Sequence, residues 1–291
     1  MKVLASAKMV FVSSVRMVTK PAVANSIDLR YGFLAAVLCL GVAVAAHADA
    51  TIKQTTTGKG LGLKGTATGT SYIKGNKMRT DLVLGDRTQT SIYDLDAQKM
   101  YIFDSKKSEA EVWDMAAFSQ QLSKFVDVSS VNHSFKPNGQ TKQVGGHTAE
   151  GYDMAVSLRS AMPVLKNVTM TVTIKGPVWI VKNSPGSADY NNFHLAAFQK
   201  GWIFGNPRAA QVQPGQAKAM AELYKEIAAI GGLAYETDMQ IKLSGEGPLA
   251  ALFSRMGNIG LSTTVTDVET GALSDDLFVP PAGYKLIPSK Y

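Results

Sequence analysis

The chain has 291 residues, 45% hydrophobic and 18% charged, with a formal charge of +7 and one cysteine. Ordinary apolar content excludes a disordered or collagenous chain, and one cysteine cannot close an internal bridge. At face value the charge suggests nucleic acid or an anionic membrane, a reading that the first fifty residues undo.

Residues 1–30 carry Lys2, Lys8, Arg16, Lys20 and Arg30 against Asp28 alone, and an uncharged apolar run follows from Tyr31 to Ala46. Ala46-His47-Ala48 then places small residues at the two positions a signal peptidase inspects, ahead of Asp49. A basic flank, an apolar block of about 7–15 residues and an A-x-A site make the pattern of a secretory signal. The run is short of the roughly 18 residues a membrane span needs. Cys39 follows Leu38 and not a small residue, so lipid attachment there is not expected. Cleavage is expected between Ala48 and Asp49, with Met1, Met9 and Met17 all available as starts. Removing residues 1–48 deletes five basic groups and one acidic group, so the +7 becomes +3, and the cysteine goes too. The expectation is a periplasmic or secreted, thiol-free protein without a stable membrane span. Residues 49–291 form a single domain, since no Pro-, Ser- or charge-rich linker divides them.

The first half reads as β-hairpins. Met78, Thr80, Leu82 and Leu84 alternate with Lys77, Arg79 and Asp81, and Lys74-Gly75-Asn76 joins this strand to Ser71-Tyr72-Ile73; alternation of period two marks a half-buried strand, and Gly and Asn suit the turn. Further strands are expected around 90–93, 99–103 and 111–113. A short helix over Met115–Phe125 would put Phe118, Leu122 and Phe125 on one side. Strands resume at 151–158 and 168–174, with another at 178–181 bracketed by Pro177 and Pro185.

Helical spacing dominates later. Tyr190, Phe193, Ala197 and Phe198 make one stripe; Met220, Leu223, Tyr224, Ile227 and Ile230 make a stronger one, ended by Gly231-Gly232, as glycine past a last turn should. Leu249, Leu252, Phe253 and Met256 suggest a third short helix. Strands at 239–243 and 261–265 follow, and the final segment 278–287 contains Pro280-Pro281, so it is expected to sit at a sheet edge or to be only partly paired. Strand-rich halves with segregated helices give an α+β architecture: antiparallel sheet, helices on one face.

Chemistry is sparse. His133, His147 and His194 are scattered, without the spacing of a metal site. His147 and Glu150 lie three apart in a region that reads as turn then strand, where that spacing places side chains on opposite faces. Asp94 and Asp96 sit at a hairpin tip, where Asp ordinarily caps turns. Gly60-Leu61-Gly62-Leu63-Lys64-Gly65 has the spacing of a dinucleotide fingerprint, but strand-like Thr66, Thr68 and Thr70 follow where that fingerprint needs a helix. Lys106-Lys107 is the densest basic run after residue 48, and Glu109 and Glu111 stand beside it, which is not a nucleic-acid footprint. No cofactor, metal, nucleic-acid partner or catalytic residue is expected.

Several segments, in order, resemble a known pattern. Ser71-Tyr72-Ile73-Lys74-Gly75-Asn76-Lys77-Met78-Arg79, Tyr93-Asp94-Leu95-Asp96 running into Lys99-Met100-Tyr101, Gly145-Gly146-His147-Thr148-Ala149-Glu150-Gly151-Tyr152, Val178-Trp179-Ile180 before Pro185-Gly186, and Phe278-Val279-Pro280-Pro281-Ala282-Gly283-Tyr284 resemble an exported bacterial family of unknown function related to the LolA/LolB-like lipoprotein-carrier superfamily. The resemblance implies a curved, incomplete antiparallel β-barrel with helices packed on or lidding the concave face, a hollow that in relatives holds acyl chains. The chain departs from true carriers in lacking a placeable lid-control arginine and in a longer helical insertion after Pro185.

The expected function is that of a non-catalytic carrier for a lipid, lipidated protein or other hydrophobic ligand. Its expected apolar lining is Met220, Leu223, Tyr224, Ile227, Leu249, Leu252, Phe253 and Met256 from the helices, with Met170 and Val172 from the sheet. A ligand-free envelope scaffold or interaction domain is the alternative, and a hydrolase built on Asp94, Asp96 or His147 ranks third.

Overall fold

The computed structural model describes residues 49–60, 63–124, 132–161, 169–202, 207–212, 214–246, 250–251 and 258–290. The expected signal segment, Phe125, Leu249, Leu252, Phe253 and Met256 lie outside them. Twelve strands form one sheet: β1 (Ala50–Gly60), β2 (Leu63–Lys74), β3 (Lys77–Leu84), β4 (Arg87–Asp94), β5 (Lys99–Asp104), β6 (Glu109–Asp114), β7 (Asn132–Val144), β8 (His147–Ala161), β9 (Thr169–Lys182), β10 (Gly232–Gly245), β11 (Asn258–Thr270) and β12 (Lys285–Pro288). Among the described residues they are accompanied by the helices α1 (Met115–Ser123), α2 (Ser187–Gln199), α3 (Pro207–Val212) and α4 (Pro214–Ile230).

The strand order is β12-β6-β5-β4-β3-β2-β1-β11-β10-β9-β8-β7. The sheet is curved and open, and the α+β architecture read from the sequence holds. Two antiparallel meanders, β1 to β6 and β7 to β11, meet only where β1 pairs with β11. Local hairpins explain each meander: Gly75, Gly85, Gly145 and Gly146 all adopt positive φ at the turns, a conformation that costs glycine little.

Alternation sorts each strand into two faces. On the inner face Ile52, Ile73, Met78, Tyr93, Met100, Trp113, Met154, Val156, Met170, Ile174, Met239 and Leu261 join one core with Phe118, Phe193, Leu223 and Ile227 of the helices. Helix α2 packs on β1 and β2, α4 packs on β8, β9 and β10, and the two helices pack on each other. On the outer face the first meander is covered as well. There the C-terminal segment lays Phe278 onto Ile92, Phe103 and Ala110 to form a second, smaller core. Lys74 fixes that segment by donating to the Leu273 carbonyl at 2.6 Å, and Arg79 does so at the Leu277 carbonyl at 3.3 Å.

Several elements differ from the sequence reading. The strands expected at 168–174 and 178–181 are one strand, β9, because Pro177 pairs toward β8 and Gly176 lets β10 pass close. A Cβ on Gly176 would lie 1.9 Å from the Asp238 carbonyl oxygen. Strands β1 and β7 carry no clear apolar alternation and escape such a reading. Of the closing segment only Lys285–Pro288, beyond Pro280-Pro281, pairs as a strand; β12 lies at the sheet edge and runs parallel to β6. Helix α1 begins where expected, its Asp114 carboxylate accepting the Ala117 N–H at 3.0 Å, a normal N-cap.

Candidate functional site on the inner face

Methionines and aromatics are interspersed among the aliphatic side chains of the inner surface. Met78, Met100, Met154, Met170 and Met239 are buried on five different strands. Unbranched, polarizable side chains adapt to irregular shapes. At the junction of α2 and α4 the rings stack: His194 lies 3.9 Å from Tyr190 and 4.8 Å from Tyr224, centroid to centroid, with Phe193 edge-on at 5.5 Å. His194 Nδ1 donates to the Tyr190 carbonyl at 2.8 Å, which fixes its tautomer. Burial pulls its pKa down to about 3 against the opposing pull of that hydrogen bond. The ring is neutral throughout the physiological range.

Across this apolar wall runs a band of neutral hydrogen-bonding groups. Thr237 on β10 stands opposite Thr263 on β11, which stands opposite Thr56 on β1. Ser71, Thr80 and Ser91 continue in a second row over β2, β3 and β4, and Gln54 on β1 lies at the level between the rows. All seven are buried. Thr56 and Thr263 share a hydrogen bond of 2.9 Å, and Ser71 and Thr80 one of 3.3 Å. The threonine row crosses β11, the strand lying between the ground covered by α2 and that covered by α4.

Among the described residues, Thr237 Oγ1 and Trp202 Nε1 on this side are buried donors without a hydrogen-bond partner, on residues each 1% exposed. An unsatisfied buried donor costs on the order of 1–3 kcal/mol. The paired hydroxyls bond to one another and not to a base, so none is set up as a nucleophile.

Of the residues expected to line a ligand site, Leu223, Tyr224 and Ile227 of α4 and Met170 and Val172 of β9 are buried and share the main core. Met220 lies on α4. The other residues weighed for chemistry lie apart from this face or have structural partners. Asp94 accepts the Ala97 N–H at 2.8 Å and Asp96 accepts from the Asn76 amide at 2.8 Å, so both brace turns. Glu150 pairs with Lys182 at 2.7 Å, which lowers its pKa, while His147 packs its ring 5.1 Å from Tyr235. His133 lies 3.0 Å from Glu226 of α4. Among the described residues no cluster of three or more His, Cys, Asp or Glu could hold a metal. Of the 60–65 glycine segment, Gly60 ends β1 and Leu63, Lys64 and Gly65 open β2, so a strand and not a helix follows. No described helix is long and apolar enough to cross a membrane.

The inner hydroxyl band is the feature that reading the sequence missed. Its signal is present in Thr51-Ile52-Lys53-Gln54-Thr55-Thr56-Thr57, where every second residue faces inward, but small polar residues do not register as a buried face.

No family model and no curated protein matches the sequence. Among solved structures, PNGF-II is similar at a TM-score of 0.31 and 12% identity over 82% of this chain, which spans only 31% of that protein. A DUF1329 family protein from Desulfovibrio piger is similar at a TM-score of 0.33 and 10% identity, covering 80% of this chain and 90% of that one. A LolA superfamily protein from Nitrosomonas europaea is similar at 0.27 and 6%, covering 86% and 94%. At TM-scores this low none assigns a site or an activity. The solved structures similar to this chain thus include members of the superfamily that its ordered motifs resemble.

Proposed function

We propose that the chain is an exported, non-catalytic carrier that holds a lipid or other hydrophobic ligand against the inner face of the sheet, beneath α2 and α4. The observation that carries this reading is the make-up of that face: five buried methionines on five strands, opposed by an aromatic seam between two helices. A surface of flexible thioethers and aromatic rings can repack around an apolar guest at low cost. Transport without chemistry needs no base, metal or nucleophile.

The test is mass spectrometry on the protein purified from its native envelope. The intact mass is expected to correspond to a chain starting at Asp49, and organic extraction to release an acyl species in stoichiometric amount. A scaffold would yield no lipid, and the extracted protein would then fail to bind a fluorescent fatty-acyl probe. That pair of results refutes the carrier reading.

A further inference from the structure

Resting on the carrier reading, we propose that the hydroxyl band is the subsite for the polar end of an uncharged ligand, bound head inward, with Thr237 as its hydrogen-bonding contact. The row Thr237, Thr263 and Thr56 spans three adjacent strands, and residues directly opposite on neighbouring strands bring their side chains within contact. Thr56 and Thr263 satisfy each other at 2.9 Å, yet Thr237, equally buried, does not join them. Buried hydroxyls without a partner are uncommon in folded proteins. Trp202 Nε1 is in the same condition on the same core. An indole N–H only donates, so the group missing from this interior is an acceptor.

Charge decides what kind of acceptor. Among the described residues no lysine or arginine is buried in the inner core, and the one charged side chain counted as buried, Glu222 of α4, is acidic. An anionic head brought here would lose its hydration with no cation to replace it, a penalty far above that of a neutral group. An ester, amide or alcohol oxygen meets both requirements: it accepts from a hydroxyl or an indole, and it carries no charge. The ligand class is therefore a neutral acyl ester or amide, and a free fatty acid is disfavoured.

The experiment uses the mature chain, stripped of lipid, and measures displacement of a fluorescent acyl probe by three competitors of equal chain length: 1-monopalmitoylglycerol, palmitate and hexadecane. Wild type should bind the monoglyceride more tightly than palmitate. Thr237→Val keeps the shape and removes the hydroxyl; it should weaken the monoglyceride about tenfold, the order of one neutral hydrogen bond in a dry site, and leave hexadecane unchanged. Thr237→Ser should restore the monoglyceride. Without ligand, Thr237→Val should melt at or above the wild-type temperature, because it deletes an unmet polar group. If hexadecane binds but Thr237→Val weakens all competitors equally or none, or if palmitate binds best, the head-inward proposal fails while the carrier reading stands. A water satisfying Thr237 would give the same unchanged affinities and likewise overturns the proposal. If no competitor displaces the probe, the carrier reading itself is lost.

Discussion

Replacing His194 by Asn leaves a donor near the Tyr190 carbonyl but removes the group that titrates. His194 is 2% exposed and its pKa is pulled down to about 3 by burial, whereas in the unfolded chain a histidine titrates near 6.5. The unfolded state therefore binds the proton first, and stability rises with pH wherever that is so. The contribution of His194 is complete above about pH 7 and is lost as pH falls through 6.5 toward 3, at about 1.4 kcal/mol per pH unit. Between pH 7 and pH 5 the loss is about 2 kcal/mol. Carboxylates with lowered pKa values, among them Asp86, Glu150, Asp267 and Asp275, lose their partners' support at lower pH and leave this window clear. Urea unfolding at pH 5, 6 and 7 should show wild type weakening by that amount and His194→Asn weakening far less. Parallel slopes for the two proteins would falsify the assignment of a buried, neutral imidazole.

Two further substitutions probe the frame of the site. Phe278→Ala removes the centre of the outer core formed with Ile92, Phe103 and Ala110, and should cost about 3–5 kcal/mol in denaturant unfolding while leaving probe binding on the inner face intact. A loss under about 1 kcal/mol, on the same scale, would mean that the C-terminal segment is not docked there. Gly176→Ala drives a methyl into the Asp238 carbonyl, where a Cβ would sit at 1.9 Å; roughly 2–4 kcal/mol of destabilisation is expected, with loss of hydrogen-exchange protection at the β9–β10 contact. Unchanged protection would show that β9 and β10 do not approach so closely.

Much of the second-half helix content and the first-half hairpins is legible in the sequence because apolar residues there recur with one clear period. Tyr190, Phe193 and Ala197 are all buried as the spacing of four and three requires, and Gly231 ends α4 with a φ of 66°. What is not legible follows from which residues face inward. On β1 the inner face is Ala50, Ile52, Gln54, Thr56 and Gly58, too small and too polar to read as buried, so a central strand looks like a loop. On β7 the residues are mostly exposed, and Pro137 with Asn138-Gly139 interrupts the register, as suits an edge that must not pair further. The hydroxyl band needs the pairing of six strands before it exists at all. Single-strand periodicity carries no information about that.

The pairing of β1 with β11 also governs how the molecule is made. Each meander can zip up from neighbouring hairpins, but its partner meander is reached through contacts more than two hundred residues apart, such as Thr56 with Thr263. Long loops slow such closure, so docking of the two halves is expected to be the slow step of folding. Until it happens, each half presents an unpaired central strand edge. The same two edges can meet between two chains, so crowding during folding favours an exchanged dimer in which the halves of one molecule complete those of another.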